Sequence, residues 1–349
     1  MPLPDPPATL IVVAPPPDLA PVVEYVWQLV LAPGAPGTCW RVVPDGYVDL
    51  SVRVPVDAEP LRAVARQPWS VAARREAIDL LAGAPALVCG AAAGARTLPM
   101  NGPRLLTGAR FRLGAAAAVL RDDLAPLVDG ARALDDVLGA RSAGTVATAR
   151  ADDGSRHVHA YGCSGPTHPD EATVQQVLRA IARASVVAAV RRLVARAERA
   201  STTLAPDPRV RDALRLLDAS ATEPATSLDA AGARVARLCR ELSTSKRTLE
   251  RLFAGHVGFA PRTYQRLRRV GAVAEALERG RHGTLSEIAY RLGYADHAHM
   301  TREFGGVMGV SPSRYRREAL DAPVARRGGA VALERTTPVG TVGTMDRCA

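Results

Sequence analysis

The sequence predicts an α+β protein: a mixed, strand-rich N-terminal domain, then an all-α domain with two helix-turn-helix units joined by a long helix. Short apolar runs bounded by proline and glycine turns fill residues 1–145, whereas residues 171–318 carry apolar positions at helical spacing. Within the second block one helix–turn–helix pattern occurs twice. The chain has 349 residues, 47% hydrophobic and 23% charged, enough for more than one buried core at about 100–200 residues per domain.

Residues 1–150 read as one domain. An apolar run at 10–14 is closed by Pro15-Pro16-Pro17, and a second at 25–31 ends at Pro33-Gly34 and Pro36-Gly37. Residues 40–43 meet Pro44-Asp45-Gly46, a strong turn signal. Residues 47–54 then place Val48, Leu50, Val52 and Val54 on one face, so the two segments are expected to pair as a hairpin. Residues 61–81 read as helical, and 86–89 and 110–113 as strands. In Arg110-Phe111-Arg112-Leu113 the alternation points to a strand with one apolar face rather than a ligand clamp. All three tryptophans, Trp27, Trp40 and Trp69, lie in this region and are expected to supply its core.

Residues 151–170 are polar and lack periodicity, as a linker does. His157, His159, Cys163 and His168 cluster there. Such side chains can bind zinc or copper, but the spacing fits no standard site, so linker polarity is the simpler reading. A connector segment, 171–206, holds a long helix over 171–199. Its stripe of Val174, Val177, Leu178, Ile181, Val187, Val190, Val194 and Ala197 has two readings. It packs internally, with Arg179, Arg183, Arg191, Arg192, Arg196 and Arg199 on a solvated side, or it forms a dimer contact. Residues 321–349 lose apolar periodicity and are expected to be a disordered tail.

The informative block is 207–320. A helix over 230–240 is followed by a short turn at 242–244, and Ser245 is placed to cap a helix buried through Leu249, Leu252 and Phe253. Its other face shows Lys246, Arg247, Thr248, Glu250 and Arg251. Downstream, Thr284-Leu285-Ser286-Glu287 fits a capping box, Gly293-Tyr294 makes a turn, and Asp296 caps a helix from His297 to Phe304 with Met300 and Phe304 as its stripe. Ala289 to Gly293 repeats the spacing of Cys239 to Ser243, which makes Cys239 a small packing residue rather than a reactive thiol. A helix over 261–277, opened by Pro261, spans about 25 Å between the units. With their offsets, this approaches the ~34 Å between successive major-groove faces.

Charge supports that reading. The net charge is +10, and residues 201–320 hold 20 Arg and Lys against 13 Asp and Glu, a net of +7. Such a block points to a polyanionic partner. No run of about 18 apolar residues exists to span a membrane. Residues 1–8 hold four prolines and no basic residue, unlike a secretory signal. The five cysteines, Cys39, Cys89, Cys163, Cys239 and Cys348, are far apart and form no Cys-x-x-Cys pair. A reducing cytoplasm is the expected location, without a disulfide framework or a four-cysteine zinc site. No Ser/His/Asp triad, phosphate-cradling loop or Rossmann fingerprint occurs, so no catalytic residue, metal or cofactor is assigned.

Ser245-Lys246-Arg247-Thr248-Leu249-Glu250-Arg251-Leu252-Phe253 and Gly258-Phe259-Ala260-Pro261 resemble the first unit of the AraC/XylS transcriptional regulators. Ile288-Ala289, Gly293-Tyr294-Ala295-Asp296, His299-Met300-Thr301-Arg302-Glu303-Phe304, Gly309-Val310-Ser311-Pro312 and Tyr315-Arg316 resemble the second. Pro44-Asp45-Gly46 and Gly108-Ala109-Arg110-Phe111-Arg112 resemble an N-terminal domain of one branch. The resemblance implies a sequence-specific DNA-binding regulator that reads two successive major-groove segments of double-stranded DNA. Its N-terminal domain would sense a small-molecule effector or oligomerise. A homodimer and RNA polymerase are candidate further partners. Base-edge contacts would fall to Arg247, Glu250 and Arg251 in the first unit and to His297, His299 and Arg302 in the second. Lys246 and Thr301 would contact phosphate, and Ser245 and Thr248 complete the candidate set. Two departures stand out. Met300 takes the place of a more usual Phe or Leu, and Gly305-Gly306 takes that of a basic pair, which is expected to shorten the second recognition helix.

A different class of function is a methylphosphotriester-type DNA-repair alkyltransferase, since such enzymes can share this helical domain. That chemistry needs a metal-activated cysteine thiolate, and residues 1–150 offer only Cys39 and Cys89.

Overall fold

The computed structural model describes residues 8–31, 39–54, 59–66, 86–99, 104–139, 171–200, 203–219, 230–278, 283–321 and 341–345. Trp69, Cys163, Cys348, most of the helix expected over 61–81, and the segment with His157, His159 and His168 lie outside the described residues.

Seven strands form one antiparallel sheet in the order β8-β5-β4-β7-β2-β1-β9. They are β1 Ala8–Val13, β2 Val23–Leu31, β4 Asp49–Val54, β5 Ala86–Cys89, β7 Arg104–Phe111, β8 Ala131–Ala133 and β9 Thr341–Met345. β9 pairs with β1, so the tail expected to be disordered carries one strand. β3, Cys39–Val42, pairs instead with β6, Arg96–Pro99, as a separate two-stranded sheet. The expected hairpin across Pro44-Asp45-Gly46 is therefore not formed: β4 pairs with β5 and β7. Pro44 has no N–H to give a ladder. Asp45 and Asp49 are both claimed by Arg110 of β7, which pulls the chain after the turn onto the large sheet.

The alternation of β4 buries Leu50, Val52 and Val54 on one face, beside Leu105, Ala109 and Phe111 of β7 and Val26 of β2. Short helices α1 (Glu59–Ala65), α2 (Ala116–Leu120) and α3 (Leu134–Leu138) surround that face, and α4, Glu171–Arg199, lies across it. Val174, Leu178, Ile181, Val186, Val190 and Leu193 of α4 are buried against the strands. Gln28, fully buried in β2, donates from Nε2 to the carbonyl of Arg179 at 2.8 Å. The apolar stripe of this helix is thus consumed inside its own chain, and the dimer contact that its spacing also allowed has no free stripe to use. Among the described residues, the core is aliphatic plus Phe111, and the side chains of Trp40 and Trp69 lie outside the described residues. Trp27 is half-buried outside it, with its indole N–H on Asp49 at 3.1 Å. Gly108 is required beneath that indole: a Cβ there would come within 2.4 Å of the Trp27 ring.

Strand alternation sends Arg110 to the face opposite Ala109 and Phe111. There its Nε and Nη2 donate to Asp49 at 3.1 and 2.9 Å, and its Nη1 to Asp45 at 2.5 Å. Tyr25 and Tyr47 stack on the guanidinium, with ring centroids at 5.4 and 4.7 Å. Burial opposes the Arg110 charge, but Asp45 and Asp49 outweigh it and hold its pKa well above the ordinary value. Desolvation raises that of Asp45, against the pull of Arg110.

The helical half comprises α5 Pro208–Ala219, α6 Ala230–Glu241, α7 Lys246–Val257, α8 Pro261–Glu278, α9 Leu285–Arg291, α10 His297–Met308 and α11 Pro312–Asp321. Among the described residues, no helix is long and apolar enough to cross a membrane.

Two substitutions should separate buried from surface ion pairs. Arg110→Ala leaves two buried carboxylates without their cation and should lower the unfolding free energy by about 3–5 kcal/mol. Arg191→Ala, which removes the exposed pair with Asp18, should cost about 1 kcal/mol or less by the same denaturant titration.

Candidate nucleic-acid interface

The two helix-turn-helix units are copies in geometry. In the first, Ser243 takes a left-handed φ of 47° and Thr244 N–H donates to the Cys239 carbonyl at 2.9 Å. In the second, Gly293 takes φ 72° and Tyr294 N–H donates to the Ala289 carbonyl, also at 2.9 Å. The recognition helices α7 and α10 then correspond at an offset of 51 residues in cap, burial and exposure: Ser245 with Asp296, Leu249 with Met300, Arg251 with Arg302, Phe253 with Phe304 and Val257 with Met308. Ser245 Oγ accepts from Thr248 N–H at 3.1 Å, and Asp296 Oδ1 from His299 N–H at 2.6 Å. The capping box on α9 is complete, through Thr284 and Glu287 at 2.7 and 3.2 Å.

Both units close on α8. Its Tyr264, Leu267, Val270, Val273 and Leu277 join Leu249 and Phe253 of the first unit to Ile288, Met300 and Phe304 of the second in one core. Cys239 packs against the same core. The 18 residues of α8 span about 27 Å at 1.5 Å per residue.

Of the residues expected at DNA, Lys246, Arg247 and Arg251 on α7 and His297 and Arg302 on α10 are exposed, with Glu250 and Thr301 half-exposed. Lys246 lies 3.8 Å from Glu250 one turn on, and Thr301 Oγ1 lies 3.3 Å from His297 Nε2. Ser245 and Thr248 are engaged with each other at the helix start, Oγ to Oγ1 at 2.9 Å. His299 is half-exposed. Its ring meets Tyr294 edge-on at 5.4 Å and its Nε2 lies 3.9 Å from Glu303, so it faces the seat of α10 as much as solvent. Gly305 and Gly306 do not shorten the recognition helix, which runs on to Met308 and stops at Gly309, φ 68°. Two interior glycines cost about 1 kcal/mol each, but burial of Val307 and Met308 holds the last turn in place. Exposed Arg266 of α8 lies over this bare stretch: a Cβ on Gly306 would come 3.0 Å from its Nη2.

One network escaped sequence reasoning. Arg269 of α8 donates from Nη2 to both oxygens of Glu303 on α10, at 2.9 and 2.8 Å, and lies over the Tyr294 ring at 5.0 Å. Tyr294 Oη donates to the same carboxylate at 3.1 Å, and burial together with the Glu303 charge pushes its pKa far up, so it remains a donor. Arg269 and Glu303 are only 8% and 12% exposed. They stand 34 residues apart, beyond any local spacing rule, and a charge beside the buried Phe304 was the one available signal.

Cys89, on β5, is no candidate nucleophile. Burial, then the Asp49 charge, pushes its thiol up to about 11, which leaves little thiolate at neutral pH.

Glu303→Ala strands the buried Arg269 guanidinium and should cost about 3–5 kcal/mol in chemical denaturation, whereas exposed Arg302→Ala should change stability by less than about 0.5 kcal/mol.

Residues 238–318 match the family described as helix-turn-helix domain, and residues 11–131 match a domain of unknown function (DUF6597). A search of curated proteins finds no match. Among solved structures, the chain is similar to the C-terminal domain of AraT, a response regulator from Geobacillus stearothermophilus. Identity is 25%, with 32% of this chain and 85% of that chain covered and a TM-score of 0.28. It is similar to an AraC-type transcriptional regulator from Chromobacterium violaceum at 20% identity, over 33% of this chain and 94% of that one, with a TM-score of 0.28. It is also similar to ToxT from Vibrio cholerae at 10% identity, over 84% of this chain and 96% of that one, with a TM-score of 0.35. The doubled motif and the family match over the same residues make residues 238–318 an AraC-type helix-turn-helix domain.

Proposed function

We propose that the protein reads two successive major-groove segments on one side of a DNA duplex, α7 entering the first and α10 the second. The observation that carries this reading is the equivalent, exposed placement of Arg251 and Arg302 on two recognition helices that share one core along α8. An arginine fork can pair with guanine O6 and N7, and Glu250 can accept from cytosine N4. Arg247 and His297 extend the two reading faces, while Lys246, Thr301 and Arg266 are placed for phosphate. His299 and the Ser245–Thr248 pair serve the seats of their helices. The large sheet, with α4 across it, supplies the body that an effector would have to act through.

Selection of bound DNA followed by footprinting tests the reading. Arg251→Ala and Arg302→Ala should each lose about 1–3 kcal/mol and relax specificity at one position, the two positions lying about 10 base pairs apart. Losses at the same base pair would refute docking by two units. Affinity should also fall with salt, log K against log salt sloping by about −0.9 per neutralised phosphate, and Arg266→Ala should make that slope shallower by about one contact.

A further inference from the structure

The C-terminal turns of the two recognition helices are finished from outside the helical domain. The last four carbonyls of an α-helix have no partner within it. In α7 the Gly255 carbonyl accepts from Leu124 N–H at 2.9 Å, and in α10 the Val307 carbonyl accepts from Ala95 N–H at 2.8 Å. Both donors come from the N-terminal domain and are far apart in sequence, yet they belong to one knot of two loops. Gly90 N–H donates to the Gly130 carbonyl and Asp129 N–H to the Ala91 carbonyl, each at 3.0 Å. Asp129, at a left-handed φ of 58°, accepts from Ala93 N–H on Oδ1 at 2.9 Å and pairs with Arg96 at 3.4 Å. The loops touch so closely that a Cβ on Gly90 would fall 1.8 Å from the Leu127 carbonyl oxygen. Around the two hydrogen bonds, Ala91 is buried in the helical core, Ala93, Ala95 and Val128 pack against it, and Gly258 sits against Val128 and the Leu124 carbonyl.

We infer that this Asp129-centred knot is a positioning element for DNA reading: it holds α7 and α10 in one relative pose and thereby sets how strictly the protein demands the spacing between its two DNA segments. The helix α8 joins the units through side chains alone: the shared core and, on α10, the Arg269–Glu303 pair. Two backbone hydrogen bonds from one knot of loops add a second, independent tie between the same two helices. The contacts reach only their far ends, at 255–258 and 307, and leave the exposed faces at 246–251 and 297–302 open to a duplex.

The inference rests on the two-segment reading, and one experiment separates their failures. Full-length protein is titrated against its selected operator and against versions with one or two base pairs added or removed between the segments. One inserted base pair turns the second groove by about 35°. The wild type should lose about tenfold or more on it, comparable to a mismatch. Asp129→Gly keeps the positive φ without strain but removes the carboxylate, and should lose about threefold or less on the same insertion. Asp129→Asn keeps an acceptor for Ala93 N–H and tolerates that φ, so it should retain the wild-type profile. Ala95→Pro removes the donor to α10 without touching Asp129 and carries the test if Asp129→Gly does not fold by circular dichroism; it too should broaden the profile. A sharp wild-type profile left unchanged in whichever of Asp129→Gly and Ala95→Pro folds overturns this inference alone. A wild type indifferent to spacing overturns the two-segment reading, and this inference with it.

Discussion

The helical half depends on one constraint: α8 must be buried along most of its length by two units at once. Tyr264, Leu267, Val270, Val273 and Leu277 face a core to which both units contribute a phenylalanine, Phe253 from one and Phe304 from the other. A helix shared in this way cannot shift toward one unit without opening a void against the other, and voids in close-packed interiors are costly. Everything the recognition helices present to a partner inherits its geometry from that shared packing.

Polar groups refine what packing leaves loose. Arg269 and Glu303 lock α10 to α8 with a bidentate pair, while Tyr264 Oη and Arg268 Nε both donate to Asp218 at 2.9 Å and tie α5 to the same helix. Tyr315 Oη donates to Glu278, and Arg316 donates to the Gly283 carbonyl at 2.8 Å, which seats α11 on the far end. These bonds are directional, so they select one rotation among several that apolar contact alone would accept. The exposed arginines of the reading faces make no comparable commitment.

The N-terminal domain is part of this arrangement rather than an appendage to it. Val43 and Ala91 are buried in the helical core. Gly46, at φ 83°, lies so near the Tyr264 ring that a Cβ there would come within 3.3 Å of it. The same turn carries Asp45, whose carboxylate belongs to the Arg110 cluster on the sheet. The turn thus touches both the Arg110 cluster of the sheet and the helix shared by the two units.

How much of this was legible beforehand follows from the range of each interaction. Caps, turns and amphipathic stripes are local, so Ser245, the Thr284–Glu287 box, Asp296, the span of α8 and the exposed faces of both recognition helices could be read from spacing alone. The doubled pattern was readable too, because the turn repeats after 50 residues and the helix that follows it after 51. Tertiary structure decided what local spacing cannot express. Pro44-Asp45-Gly46 looked like a hairpin turn until Arg110, 65 residues from Asp45, claimed its carboxylate. The stripe of α4 could face a partner or a sheet, and only the strands' burial of Val186, Val190 and Leu193 chose the sheet. Gly305-Gly306 signalled a helix end, but burial of Val307 and Met308 carried the helix onward. Local rules fix which residues can be helical or exposed; which surfaces meet is set by the competition for buried area and buried charge across the whole chain.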